Sequence, residues 1–103
     1  MRDDEIEILD SNFRVLVYEF TGNKVVKLYD TRVRGGLGAL RAFYWFLDTA
    51  RIAVGSDLEA EEDGYVPPLV NLETRRVFKS RTLLWTPKLG KRSGISIILV
   101  EEP

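Results

Sequence analysis

"GGLGALRAFYWFLDTARIAVG" (Gly35–Gly55) is the stretch whose reading decides the fold. Glycines open and close it, and no proline interrupts it, so the spacing predicts a helix over about 37–54 with Gly55 as its C-cap. At about 100° per residue, Ala39, Phe43, Phe46, Leu47, Ala50 and Val54 fall on one side. Small and large side chains alternate there, which suits a helix seated on a sheet. The opposite side centres on Arg41, Asp48 and Arg51, yet Leu37, Tyr44, Trp45 and Ile52 flank that polar centre. An outer helix face normally has a wide polar side, so this one needs either a cover or a ligand.

Outward from the helix, the chain reads as strands. "NFRVLVYEF" (12–20) is rich in β-branched and aromatic residues, and "TGNK" offers Gly22 and Asn23 for a tight hairpin turn. "KVVKLYDTRVR" (24–34) is the returning strand, with Val25, Lys27, Tyr29 and Thr31 on one face and Val26, Leu28 and Asp30 on the other. On the far side, 56–74 reads as a loop: first acidic, then carrying Pro67 and Pro68, which forbid a helix and a central strand. "RRVFKSRTLLW" (75–85) and "ISIILV" (95–100) form a second pair around the turn "TPKLGKRSG" (86–94), and "EIEIL" (5–9) alternates as a short edge strand. The order ββ–α–loop–ββ gives an α+β fold, an antiparallel sheet of four to five strands with one main helix packed across it. With 103 residues, 45% of them hydrophobic, the chain is expected to be one domain, residues 1–103.

Composition narrows the chemistry. There is no cysteine and no histidine, so thiolate nucleophiles, Cys or His metal ligands and the commonest general base near neutral pH are all missing. The expectation is a non-enzymatic protein without a cofactor. No apolar run approaches the roughly 18 residues that span a bilayer, and "MRDDEIEILD" does not resemble a signal peptide, so a cytoplasmic protein with no membrane partner is expected. Arginine outnumbers lysine ten to five, and Cys and Gln are absent, a composition that fits a hot environment.

The net charge of −1 hides segregation. Seven acids lie at the ends, and residues 11–100 hold 14 Lys+Arg against 9 Asp+Glu. Five of those nine stand in "DLEAEED" (57–63), whereas Arg75–Arg92 holds seven basic residues and no acid. Such asymmetry points to an anionic partner. In 77–85, Lys79, Arg81 and Trp85 share a face that reads as the outer one, while Phe78, Ser80, Thr82 and Leu84 read as core. Two readings of the aromatic helix flank stay open. The 56–74 loop, with Tyr65, Val66, Leu69 and Val70, covers it; or it forms one wall of a groove for a flat, anionic ligand. Bases are flat and phosphates anionic, so aromatic rings beside guanidiniums suit a single-stranded nucleic acid. The candidate contacts are Arg41, Tyr44, Trp45, Arg51, Lys79, Arg81 and Trp85, with Lys88, Lys91 and Arg92 on the turn as a backbone clamp.

The helix "GGLGALRAFYWFLDTAR", the strands around it and the basic "RRVFKSRTLLW" strand resemble the ThermoDBP-type single-stranded DNA-binding proteins of hyperthermophilic archaea. The likeness covers roughly 12–100 and is one of residue type, without a diagnostic short motif. It implies sequence-tolerant binding of single-stranded DNA in an apolar cleft edged by basic residues, protecting single strands in replication and repair. Trp45, Tyr44, Arg41, Lys79, Arg81 and Trp85 match by type. RNA is the other candidate strand. The family is associated with a C-terminal leucine zipper that makes dimers; this chain stops at "VEEP" without heptads and reads as the core domain of a longer chain, in which a homodimer would form.

Two other classes compete. The same aromatic patch would serve a protein-interaction module as an oligomer or partner interface. A carboxylate hydrolase would use "DLEAEED" with Mg²⁺, although the run lacks a complete metal-binding pattern.

Overall fold

The computed structural model describes residues 11–55, 58–85 and 93–102, and of Glu59 and Ala60 only the backbone. β1 (Phe13–Thr21) and β2 (Lys24–Val33) form the expected hairpin. Thr21 faces Lys24 across a two-residue turn in which Gly22 alone has positive φ, 58°. That is the II′ pattern, whose twist matches the strands it joins. α1 (Gly36–Val54) follows, ending at Gly55, whose N–H returns to the Arg51 carbonyl. Then come β3 (Leu58–Asp63), β4 (Val77–Trp85) and β5 (Ser93–Glu101). All pairings are antiparallel, in the order β2-β1-β5-β4-β3. The α+β architecture is as expected, with five strands in the sheet. Residues 5–9 lie outside the described residues. Among those described, no helix is long and apolar enough to cross a membrane.

β3 corrects the sequence reading, which made 56–74 a loop. The acidic run instead pairs with β4, setting Asp63 opposite Arg81. An edge strand has one free side, so it tolerates charge that a central strand could not.

Both faces of the sheet are covered. On one, Ala39, Phe43, Leu47 and Ala50 of α1 pack on Phe13, Val15, Val17, Leu83, Ile97 and Leu99. On the other, Leu16, Ile98 and Val100 lie beneath Val66, Val70 and Leu72. The Pro-Pro segment therefore does shield apolar surface, but on the sheet face opposite the helix and not on the helix flank. It is tied to the sheet by the Gly64 N–H to the Ser80 carbonyl and by the Glu101 N–H to the Arg76 carbonyl. A central strand covered twice reads as a continuous apolar run, and "ISIILV" in β5 is one.

Two register shifts alter which side chains share a face. In β4 the shift between Val77 and Lys79 puts Phe78 edge-on against Phe13, on the helix side, while Val77 joins the opposite cluster. Ser80, Thr82 and Leu84 are buried as expected, but Leu83 is buried as deeply as any of them. The expected division of β4 into a core face and a wet face fails because neither face is bare. In β2, Leu28 is the extra residue of a bulge: Val17 faces Tyr29 and Tyr18 faces Lys27. The bulge moves Tyr29 to the face opposite Val25 and Lys27.

Candidate nucleic-acid interface

Consecutive residues of a helix point about 100° apart, and α1 uses this to send neighbouring aromatics to different flanks. Tyr44 goes toward β4, where Lys79 Nζ donates to its hydroxyl at 2.5 Å and sits 4.9 Å from its ring centroid. Trp45 goes the other way. It packs edge-on against Phe46, centroids 4.9 Å apart, and Phe46 in turn meets Tyr29 of β2 at 5.1 Å. Trp45 is 62% exposed and Tyr29 55%. Phe46, expected in the core, is only half-buried and links the two. Arg41 lies one helical turn before Trp45, exposed and without a carboxylate partner among the described residues.

The β4 flank is differently built. Arg81 donates from Nε to Asp63 Oδ1 at 2.5 Å and from Nη2 to Oδ2 at 3.1 Å, and its Nη1 lies 3.3 Å from Glu61 Oε2. Arg51 of the helix pairs with the other Glu61 oxygen. The Arg81 hydrogen bond holds the Asp63 carboxyl below the usual carboxylate range; partial desolvation opposes this, and the charges of Arg81 and Lys79 add to it. The same hydrogen bond raises the Arg81 guanidinium above its ordinary value. Fork-to-carboxylate geometry of this kind is the strong form of an ion pair.

The candidate residues thus divide. Tyr44, Lys79, Arg81 and Arg51 come together between α1 and the β3 edge, with both arginines engaged by acids. Arg41 and Trp45 stand on the outer side of α1, continuous with Phe46 and Tyr29. Trp85 is half-buried at the end of β4, opposite Leu58 and Ser93, and no described contact joins it to Trp45. Lys88, Lys91 and Arg92 lie outside the described residues, as does Asp57. Among the described residues no three carboxylates converge as a metal site.

Sequence reasoning missed Tyr29 and Phe46 as parts of an exposed run of rings, and Glu61 and Asp63 as partners of the arginines. Only the second had a local signal: alternate acids at 59, 61 and 63 fit an extended strand. In comparisons with known proteins, no family model, curated protein or solved structure matches the chain.

Proposed function

We propose that this protein binds single-stranded nucleic acid with little sequence preference, using Trp45, Phe46 and Tyr29 as the stacking surface, Arg41 as the adjoining phosphate contact and Lys79, beside Tyr44 on the other flank of the helix, as a second. The observation that carries this reading is the exposure of Trp45 and Tyr29 at the two ends of one continuous ring contact, with the Arg41 guanidinium, which has no carboxylate partner among the described residues, one turn away. Aromatic surface left open beside cations is costly in water and suits flat, charged partners. Each base stacked on a ring contributes about 1–3 kcal/mol whatever its identity. The strand-protecting role suggested by the ThermoDBP resemblance is consistent with such a surface.

The β4 flank contributes less than its arginine count suggests, because Glu61 and Asp63 already occupy Arg51 and Arg81. With Arg41 and Lys79 as two phosphate contacts, log affinity should fall by about 1.4 per log unit of salt, at roughly 0.7 per contact. Titration of a dT oligonucleotide against tryptophan fluorescence at low salt tests the reading. Quenching that reverses with added salt is the expected result, and unchanged fluorescence together with no retained oligonucleotide would overturn it.

A further inference from the structure

β2 closes one side of the sheet, and no described strand lies beside its outer edge. It is ten residues long, and almost all of its side chains are exposed, among them Val26, Leu28 and Tyr29. A long unpaired edge with apolar side chains is a template for another strand. The bulge at Leu28 gives this edge a further property. Lys27 faces Tyr18, and Asp30 faces Leu16; these β1 residues are two apart, so Lys27 and Asp30 project on one side of the sheet, where Lys27 Nζ lies 3.3 Å from Asp30 Oδ2.

We propose that β2 pairs antiparallel with β2 of a second copy of this chain, about a two-fold axis passing between Leu28 and Tyr29. Lys27 of each copy then lies opposite Asp30 of the other. In this register the facing pairs outside the bulge share a side of the sheet: Lys27 with Asp30, Val25 with Arg32, Val26 with Thr31 and Lys24 with Val33. No like charges meet, and one opposite-charge pair forms twice, as a two-fold contact requires. Slipping by one residue sets side chains of opposite faces against each other. Slipping by two puts Lys27 against Arg32 in one direction and Val25 against Asp30 in the other. Lysines and bulges commonly protect edges from indiscriminate pairing; here the bulge is what brings Lys27 and Asp30 to one face, and so it selects a single self-complementary register. The axis is perpendicular to the sheet, so the Tyr29–Phe46–Trp45 runs of both copies lie on the same side of a continuous sheet. The inference does not depend on nucleic-acid binding.

The chain has no cysteine, which makes the register directly readable. Lys27→Cys and Asp30→Cys are prepared as separate proteins, then mixed and oxidised. Facing Cα atoms lie about 4.5–5.5 Å apart in an antiparallel pair, within disulfide reach of about 4.4–6.8 Å. Identical positions on the two copies are three residues out of step, roughly 10 Å at about 3.4 Å per residue, beyond that reach. The mixed disulfide dimer should exceed either self-linked dimer by about tenfold. Sedimentation equilibrium of the unmodified protein should show twice the 11.8 kDa chain mass. A monomer at every concentration tested, or equal amounts of mixed and self-linked dimers, would overturn the inference.

Discussion

Arg81 grips the Asp63 carboxylate with two nitrogens, at 2.5 and 3.1 Å, across the β3–β4 pair. With Glu61 bridging Arg51 and Arg81, this makes the acidic edge strand an internal rival of any phosphate approaching that flank. Coulomb attraction does not distinguish a carboxylate in the same chain from a phosphate in solution, and the internal partner carries no association cost. Glu61→Gln combined with Asp63→Asn should therefore tighten oligonucleotide binding and steepen its salt dependence by up to two further phosphate contacts, about 1.4 in slope. A variant that binds like the parent protein would show that Arg51 and Arg81 face away from the strand.

The same pair gives a pH signature. The folded-state pKa of Asp63 is depressed, first by the Arg81 hydrogen bond. Its contribution to stability is accordingly present above the unfolded carboxylate value of about 3.9 and is lost as pH falls through the lower folded value. Asp63→Asn should lower stability modestly at neutral pH, converge with the parent protein in acid where Asp63 is protonated in both states, and so flatten the acid limb below about pH 4. Urea midpoints across that range measure it; an identical acid limb in both proteins would refute the assignment.

How much of this was legible follows from the range of each signal. The helix was readable because its determinants are local: glycines at both ends and apolar residues at helical spacing. Tyr29's true neighbours were not, since a bulge arises from how two strands accommodate each other and Leu28 carries no mark of it. β3 was hidden for a related reason. "LEAEED" offers only Leu58 and Ala60 as apolar positions between its alternate acids, too weak a signal alone, and its pairing comes from the basic strand beside it. The cover over the second sheet face did have a signal in "ISIILV", whose consecutive apolar residues already imply burial on both sides.

Trp45 and Phe43 are two residues apart on α1 but answer to different constraints. Phe43 is fully buried among core side chains, whereas Trp45 is mostly exposed. Phe43→Ala should cost about 3–5 kcal/mol of stability. Trp45→Ala should leave the thermal midpoint nearly unchanged and weaken oligonucleotide binding by about 1–3 kcal/mol. Parallel melting curves and titrations separate the two. Trp45→Ala with full affinity would remove the indole from the binding surface.

Gly94 illustrates a position fixed by proximity. A Cβ there would come within 2.6 Å of the Phe20 ring and 2.7 Å of the Leu83 carbonyl oxygen. The ring has some freedom to move, but the backbone carbonyl belongs to the β4–β5 ladder, where Gly94 faces Leu84. Gly94→Ala should therefore destabilise by about 1–3 kcal/mol through overpacking, although alanine is otherwise easily tolerated in a strand. Denaturant unfolding tests it, with an unshifted midpoint as the contrary result.

Two buried hydroxyls on β4 make opposite predictions. Thr82 Oγ1 donates to the Tyr65 carbonyl at 3.2 Å and accepts from Ser96 Oγ at 2.7 Å, so it joins the covering segment to the sheet. Ser80 Oγ, two residues earlier on the same face, is buried without a hydrogen-bond partner among the described residues. Removing a satisfied group strands its partners, whereas removing an unsatisfied one relieves a desolvation cost. Thr82→Val should cost about 1–3 kcal/mol, while Ser80→Ala should be neutral or stabilising by up to about 1 kcal/mol. Adding Ser96→Ala to Thr82→Val should recover part of the loss, because one orphaned hydroxyl goes with it. If Ser80→Ala proved as damaging as Thr82→Val, the Ser80 hydroxyl would have to be anchoring the sheet through a bond of its own.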